Sequence, residues 1–187
     1  MGIDEGKVAL RQAVFLDRDG VINETVIRNG KPSPPASIED LRVPLDVSPA
    51  LHQLTAGGYL LIGITNQPDV ARGAQTKEAV EKINRHLLES LPIESILVCY
   101  HDDSDDCACR KPRPGLILEA AHKWNVERQA SFVIGDRWKD IEAGKRAGCK
   151  TIWLDRHYDE DGHGAVPDHR AETLAQAAAW ILSSGAA

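Results

Sequence analysis

The sequence lacks any long hydrophobic run, and none of its apolar stretches approaches the ~20 residues that a membrane-spanning helix requires. It also lacks an excess of positive charge, because 22 Lys and Arg residues face 28 Asp and Glu residues, for a net charge of −6. Binding to phosphate backbones needs clustered basic residues, so this balance argues against a nucleic-acid partner. Residues 1–12 are polar and include Asp4 and Glu5, unlike a signal peptide. We therefore expect a cytoplasmic monomer with neither a membrane nor a nucleic-acid partner.

Internal repeats and low-complexity tracts are absent as well, and 42% hydrophobic with 27% charged residues is an ordinary globular balance. Short apolar runs alternate with helical patterns, which is the order of βα units around a parallel sheet. The predicted strands cover residues 13–16, 60–64, 96–99, 132–134 and 151–154. We expect a single domain over residues 1–187, a three-layer Rossmann-like α/β fold whose parallel sheet is flanked by helices.

The helix signals lie between these runs. Ser48 and Pro49 have the residue types of an N-cap and a first helical position, which predicts a helix from here to about residue 57. Thr76 is predicted to cap the next helix. Its core-facing residues would be Val80, Ile83, Leu87 and Leu88. Further helices are predicted over residues 116–124, 139–147 with Gly148 as the stop, and 171–182.

Chemically active residue types follow four of the predicted strands. These residues are Asp17, Thr65, Cys99 and Asp136. Open parallel sheets bind their ligands in the crevice outside the carboxyl ends of the strands. Four strand ends that carry such residues therefore predict a functional site at this edge of the sheet.

Two carboxylates, Asp17 and Asp19, follow the first strand two residues apart. Asp17 continues the strand and can attack a phosphorus atom, whereas Asp19 can transfer a proton, and such a pair divides hydrolysis into attack and release. Taken alone, the segment is more often a solvated turn. The start of a calcium loop is another reading, but the rest of an EF-hand pattern is absent.

The later strand ends add groups that suit a phosphate and a metal ion. The Thr65 hydroxyl and the Asn66 amide can hold phosphoryl oxygens, and Lys111, next to Arg110, can neutralise their charge. Each feature alone also fits an ordinary loop. Magnesium prefers hard oxygen ligands, so Asp17, Asp136 and one carbonyl would suffice to bind it. Asp140 is assigned only a supporting role near this site.

Three of the four cysteines fall within eleven residues, together with a histidine. Cys99, His101, Cys107 and Cys109 form two i, i+2 pairs, and three thiolates with one imidazole match a closed structural zinc site. A disulfide is disfavoured in the expected compartment, and chance clustering is the other alternative. We predict a zinc-stapled loop over residues 99–109, hereafter the zinc loop, with the acidic run 102–106 as its solvated tip. Cys149 is predicted to be a small buried residue.

In this order, the motifs resemble those of the haloacid dehalogenase (HAD) superfamily. They are Asp17-x-Asp19-Gly20, Thr65-Asn66, Lys111-Pro112 and Gly135-Asp136-x-x-x-Asp140. The resemblance implies a Mg²⁺-dependent phosphatase with an aspartyl-phosphate intermediate on Asp17 and Asp19 as general acid/base. It also implies that Thr65 and Lys111 hold the phosphoryl group, and that Asp136 and the carbonyl of Asp19 bind the metal.

The cysteine cluster, and the lack of room for a cap domain, narrow this resemblance. The chain is similar to the branch that contains D-glycero-D-manno-heptose-1,7-bisphosphate 7-phosphatases and histidinol-phosphate phosphatases. Residues around Asn66 and Arg110 favour the heptose enzymes, and by this resemblance Arg110 and Arg137 contact the substrate. The sequence departs from the heptose enzymes at Pro68–Asp69, and it matches neither group closely over residues 24–35, where a substrate loop is expected.

The leading interpretation is thus a phosphatase of small phosphorylated metabolites, with the heptose bisphosphate as substrate. Histidinol phosphate is the alternative substrate. A polynucleotide 3′-phosphatase shares the motifs, but the acidic charge balance disfavours it. An alternative of a different class is a non-catalytic, zinc-stapled binding domain, which would be expected to lack at least one catalytic group.

Overall fold

A sheet of six parallel strands runs through the protein, whose computed structural model describes residues 9–28, 30–158 and 164–184. In chain order the strands are β1 (Ala13–Leu16), β2 (Val26–Arg28), β3 (Lys31–Ser33), β4 (Leu60–Asn66), β5 (Ser95–Cys99), β6 (Phe132–Gly135), β7 (Lys150–Leu154) and β8 (His169–Ala171). The sheet has the order β5-β4-β1-β6-β7-β8, and β2 pairs with β3 in a separate antiparallel hairpin.

The helices cover both faces of this sheet. They are α1 (Val47–Ala56), α2 (Pro68–Ala71), α3 (Lys77–Ser90), α4 (Gly115–Trp124), α5 (Trp138–Ala147) and α6 (Leu174–Ser184). Successive side chains of a strand point to opposite faces. Val14 and Leu16 of β1 therefore pack in the core shared with α1, α3 and α6, whereas Ala13 and Phe15 pack in the core shared with α4 and α5. This confirms the predicted three-layer fold.

The chain changes direction across the sheet at β1. After β1 it builds β4 and β5 on one side and then crosses to build β6, β7 and β8 on the other. Ligands of such sheets bind where the strand order reverses, outside the carboxyl ends of the strands. The residues after β1, β4 and β6 therefore meet at one edge of the sheet.

Two predicted helix starts are wrong. Helix α1 begins at Val47, behind Asp46, and not behind Ser48. Pro49 misled the prediction because proline is tolerated throughout a first helical turn, where the backbone N–H groups have no intrahelical partner. Helix α6 begins at Leu174 and not at residue 171, because Ala171 pairs with Leu154 as the last residue of β8.

Helix α3 largely agrees with its prediction. The Thr76 hydroxyl oxygen accepts a hydrogen bond from the Ala79 backbone N–H, as an N-cap does. The predicted core residue Leu88 is exposed, however, and Asn84 is buried instead. Asn84 faces inward because it accepts a hydrogen bond from a buried arginine, Arg18.

The β2–β3 hairpin was not predicted. It lies within the segment 24–35 that sequence reasoning assigned only as a substrate loop. Pro32, Ser33 and Pro34 line a cavity beside the end of β1, so the hairpin forms one wall of the candidate site. Within the described ranges, no helix combines the length and apolar character needed to cross a membrane.

Candidate active site

Asp17 extends β1 by one residue, since its N–H donates to the Ile134 carbonyl of β6 over 2.9 Å. Its Oδ1 atom accepts hydrogen bonds from the Arg18 backbone N–H and from Lys111 Nζ, each over 2.8 Å. Lys111 Nζ also donates to the Ile64 carbonyl over 3.0 Å and forms an ion pair of 2.5 Å with Asp140 Oδ1. One buried ammonium group thus connects two carboxylates to the end of β4.

Three carboxylates lie close together near the Lys111 ammonium group. Ligand oxygens of Asp17, Asp136 and Asp140 all lie within 4.8 Å of one another. Neither carboxylate oxygen of the buried Asp136 accepts a well-aligned hydrogen bond from the residues that the structure describes, although the Tyr158 hydroxyl lies near enough to interact with it. Gly20 lies against this carboxylate, and a side chain at Gly20 would collide with it. Buried oxygens without well-aligned donors and an excess of negative charge suit a hard cation such as Mg²⁺.

Burial and charge shift the pKa values of these groups. Burial raises the pKa of Asp17 to about 7, against the pull of Lys111, and the negative charge of Asp140 adds to the increase. Burial also raises the pKa of Asp136 well above its usual value, with the charge of Asp17 as the next cause. Burial alone would lower the pKa of Lys111, but Asp140 and Asp17 outweigh it and hold the pKa above its usual value.

The Asp19 carboxylate accepts four described hydrogen bonds from side chains. Its Oδ1 atom accepts from Arg18 Nε over 3.2 Å and from Asn23 Nδ2 over 3.0 Å. Its Oδ2 atom accepts from Arg18 Nη2 over 3.0 Å and from Gln67 Nε2 over 2.7 Å. These bonds fix the carboxylate at the wall of the cavity that Asp17 also lines.

Thr65 and Asn66, the predicted phosphate-binding residues, are the last two residues of β4, and their side chains are used differently. Thr65 lines the cavity, and its hydroxyl oxygen accepts a bond from Gln67. The side chain of Asn66 is used elsewhere. Its Oδ1 accepts from the Lys111 N–H and its Nδ2 donates to the Lys111 carbonyl, both over 3.1 Å. Asn66 nevertheless lines the cavity, where its backbone or the second hydrogen of Nδ2 is available for a phosphate.

The cavity beside Asp17 has a volume of about 390 Å³. Its cationic lining consists of Arg72, Arg110, Lys111, Arg137 and Lys139. The predicted substrate residues Arg110 and Arg137 are thus both brought to this cavity. Arg137 lies 5.6 Å from the ring of Tyr158, whose hydroxyl is 3.2 Å from the Thr25 hydroxyl on the approach to the hairpin.

The four predicted zinc ligands converge at the end of β5. Cys109 Sγ lies 3.2 Å from Cys99 Sγ, 3.4 Å from Cys107 Sγ and 3.3 Å from His101 Nδ1. The remaining thiol pair, Cys99 and Cys107, is 3.6 Å apart, and all four cysteines of the chain are free. Tetrahedral zinc with bonds of about 2.3 Å needs ligand atoms at nearly this spacing, so the cluster fits zinc. Cys149 is buried, as predicted.

The acidic run is largely exposed, as predicted for a solvated tip, but it also forms ion pairs that were not predicted. Three of its carboxylates hold arginines, in the pairs Asp102–Arg72, Asp103–Arg110 and Asp106–Arg113. The first two pairs hold arginines of the cavity. The zinc loop therefore supplies both the covalent neighbour of Arg110 and the carboxylate that orients its guanidinium group.

Sequence reasoning missed several supporting residues. Arg18 is fully buried, and its guanidinium group spans from Asp19 to Asn84 Oδ1, a bond of 2.8 Å. Arg156 Nε donates to the Gly20 carbonyl over 2.8 Å and so holds the loop after β1. A charged residue between two candidate catalytic carboxylates was the one available signal for Arg18. Nothing in the sequence near Arg156 pointed to the loop it contacts.

Comparisons with known proteins agree with this geometry. Residues 108–177 match a family model described as HAD-hydrolase-like. The D-glycero-β-D-manno-heptose-1,7-bisphosphate 7-phosphatase of Rhodopseudomonas palustris is 41% identical over 150 residues, which cover 74% of this chain and 80% of the relative. The enzyme of the same name from Helicobacter pylori (strain 26695) is 38% identical, with 76% and 83% covered.

A solved structure gives the same result for the fold. It is the D,D-heptose 1,7-bisphosphate phosphatase of B. bronchiseptica in complex with magnesium and phosphate. It has a TM-score of 0.78 and 26% identity, and the match covers 92% of this chain and 99% of that one.

The raised pKa values predict how stability depends on pH. Without Mg²⁺, the folded state binds more protons than the unfolded state between the ordinary Asp value of 3.8 and about 7, so the free energy of unfolding should fall as the pH rises through this window. The slope should reach at most ~1.4 kcal/mol per pH unit for each such group. Thermal melts across the window measure it. Saturating Mg²⁺ or the Asp17→Asn substitution should make the free energy of unfolding less dependent on pH. An unchanged slope in both experiments would contradict the raised pKa of Asp17.

Proposed function

The chain belongs to the HAD-like hydrolases, in the family of the heptose-1,7-bisphosphate 7-phosphatases, and we propose that it removes the 7-phosphate of D-glycero-D-manno-heptose 1,7-bisphosphate. One observation carries the proposal. Asp17, bonded to Lys111 and surrounded by two further buried carboxylates, opens on a cavity with a cationic wall. A buried nucleophile beside a fixed cation suits attack on a phosphate group.

The first step forms a bond between a carboxylate oxygen of Asp17 and phosphorus. Both described hydrogen bonds of the Asp17 carboxylate fall on Oδ1, which leaves Oδ2 as the candidate attacking atom. The ester bond between phosphorus and the sugar oxygen breaks, and Asp19 gives its proton to that oxygen. Lys111 and the Thr65 hydroxyl stabilise the charge on the phosphoryl oxygens.

The second step releases phosphate. Asp19 takes a proton from a water molecule, the water oxygen bonds to phosphorus, and the bond to Asp17 breaks, so the carboxylate is regenerated. We propose that Asp17, Asp136 and the carbonyl of Asp19 bind Mg²⁺, which neutralises charge on the reacting phosphoryl group when bound. Asp140 belongs to the same carboxylate group and acts through Lys111.

The lining of the cavity supports a bisphosphate as substrate. Beyond the reacting centre lie Arg72, Arg110, Arg137 and Lys139, together with Asp69 and Asp103. The four cations outnumber the two carboxylates, and such a set suits a second phosphate group. Histidinol phosphate carries an amine at that end and would gain less from these cations. A non-catalytic binding domain is disfavoured because each predicted catalytic group is present. We further propose one domain over residues 1–187, acting as a cytoplasmic monomer.

Hydrolysis of a substrate panel tests the proposal. Heptose 1,7-bisphosphate should have a higher kcat/KM than fructose 1,6-bisphosphate or histidinol phosphate, with phosphate release as the readout. A preference for histidinol phosphate would overturn the proposed substrate while leaving the phosphatase activity in place.

Asp17→Asn should reduce turnover by at least ~10³-fold without loss of the fold, because the neutral amide is a far weaker nucleophile and metal ligand. Asp40→Asn, a change of the same kind on the exposed surface, serves as the control and should leave kcat unaltered. Activity of Asp17→Asn within tenfold of wild type, at equal thermal stability, would exclude Asp17 as the nucleophile.

Mg²⁺ removal should abolish activity, and Mg²⁺ alone should restore it. The protein would be treated briefly with EDTA and desalted, and its zinc content would be measured to verify that the zinc loop is unchanged. Full turnover in buffer that has been freed of divalent cations would refute the magnesium requirement.

We propose that zinc at Cys99, His101, Cys107 and Cys109 is structural and acts on catalysis through the adjacent Arg110 and Lys111. Cys107→Ser should lower the zinc content from about one per chain, lower the melting temperature and reduce kcat by up to ~100-fold, while the Mg²⁺ requirement persists. Cys149→Ser, which changes a thiol outside the cluster, should keep the zinc. A wild-type protein that is stable and active without metal at the cluster would disprove this role.

A further inference from the structure

Gln67 is a fully buried residue at the junction of two strands, and no role in the reaction has been assigned to it above. Its backbone N–H donates to the Cys99 carbonyl over 2.7 Å, which links the end of β4 to the end of β5. Its side-chain Nε2 donates two hydrogen bonds, to Asp19 Oδ2 over 2.7 Å and to Thr65 Oγ1 over 2.8 Å. One amide group therefore contacts both the proposed acid/base and the proposed phosphate-binding hydroxyl.

The hydrogen bond from Gln67 differs from the other bonds of the Asp19 carboxylate in the part of the chain that supplies the donor. The other described donors, Arg18 and Asn23, belong to the same loop as Asp19, and Arg18 is in turn bonded to Asn84 of α3. Gln67 is the described donor that lies on a different strand end. It thus fixes Asp19 relative to β4, and hence relative to Thr65.

The contact with Thr65 determines the direction of its hydroxyl proton. Because the oxygen accepts the N–H of Gln67, the proton points to a different acceptor, and Thr65 lines the cavity beside Asp17. The reverse amide orientation would bring the carbonyl oxygen of Gln67 against a carboxylate oxygen of Asp19. The Thr65 proton is therefore available to a phosphoryl oxygen.

The remaining atom of the amide argues against a purely structural role. Gln67 Oε1 is buried and has no hydrogen-bond partner among the described residues. A buried acceptor without a partner lowers stability, and such atoms call for an explanation. A residue selected for packing alone would be apolar at this position.

We propose that Gln67 is a positioning residue, which holds Asp19 and Thr65 in the relative orientation that the reaction requires. The inference rests on the proposed phosphatase mechanism. Gln67 makes both contacts through one rigid amide group, so its loss displaces both partners. A displacement of about 1 Å at a reacting group can reduce a rate on the order of a hundredfold.

Gln67→Met tests the proposal, because it keeps the length of the side chain and removes its N–H donors. A sugar alkoxide needs the proton of Asp19 to leave, whereas p-nitrophenolate leaves without one. We therefore expect kcat/KM for heptose bisphosphate to fall by ~10- to 100-fold. The loss in kcat/KM for p-nitrophenyl phosphate should be at least ~5 times smaller. Thr65→Val and Gln67→Met should also be non-additive in kcat.

Gln75→Met is the matched control. Gln75 likewise donates two bonds through Nε2, to the Pro35 and Ala36 carbonyls, and leaves a buried Oε1 without a described partner. Its replacement should leave the ratio of the two substrates unchanged. Equal losses on both substrates in Gln67→Met, or additive effects with Thr65→Val, would reduce Gln67 to a packing residue. If wild type does not hydrolyse the heptose bisphosphate, the proposed substrate fails, and fructose 1,6-bisphosphate as the alkyl phosphate still decides the role of Gln67.

Discussion

A shortage of positive charge at the end of β1 is the constraint on which the rest of the site depends. Asp17, Asp136 and Asp140 are buried within 4.8 Å of one another, and Lys111 is the cation that contacts two of them. Like charges at this distance repel strongly when water is excluded. The arrangement therefore suits a divalent cation, and without one the raised pKa values of Asp17 and Asp136 allow protons to relieve the repulsion.

The surrounding structure fixes Lys111 and its neighbours from several directions. The end of β4 contributes the Ile64 carbonyl to Lys111, and the zinc loop delivers the chain directly into Arg110 and Lys111. The acidic residues of that loop hold Arg72 and Arg110 at the wall of the cavity. The cysteine cluster directly precedes Arg110 and Lys111 in the chain, and the buried carboxylates contact Lys111. Both clusters thus position this short segment.

The sequence allowed the sheet, its flanking helices and the meeting of Asp17, Thr65 and Asp136 to be predicted, because buried strands and the residues at their ends leave a local pattern. Lys111 was placed with them through the order of the family motifs. It did not allow β8 or the β2–β3 hairpin to be predicted, since three-residue strands have too little periodicity. The positions of Arg18 and Gln67 depend on partners brought close only by the fold. The ion pairs of the acidic run were missed for the same reason.

The Asn66 amide has a consequence for how substrate preference can change. By bonding both the N–H and the carbonyl of Lys111, it imitates a rung of β-ladder between β4 and a segment that is not a strand. Lys111 is thereby tied to the sheet, whereas its neighbour Arg110 is held by side chains of a loop. Substitutions in the zinc loop can therefore reorient the Arg110 guanidinium group without displacing the Lys111 ammonium group.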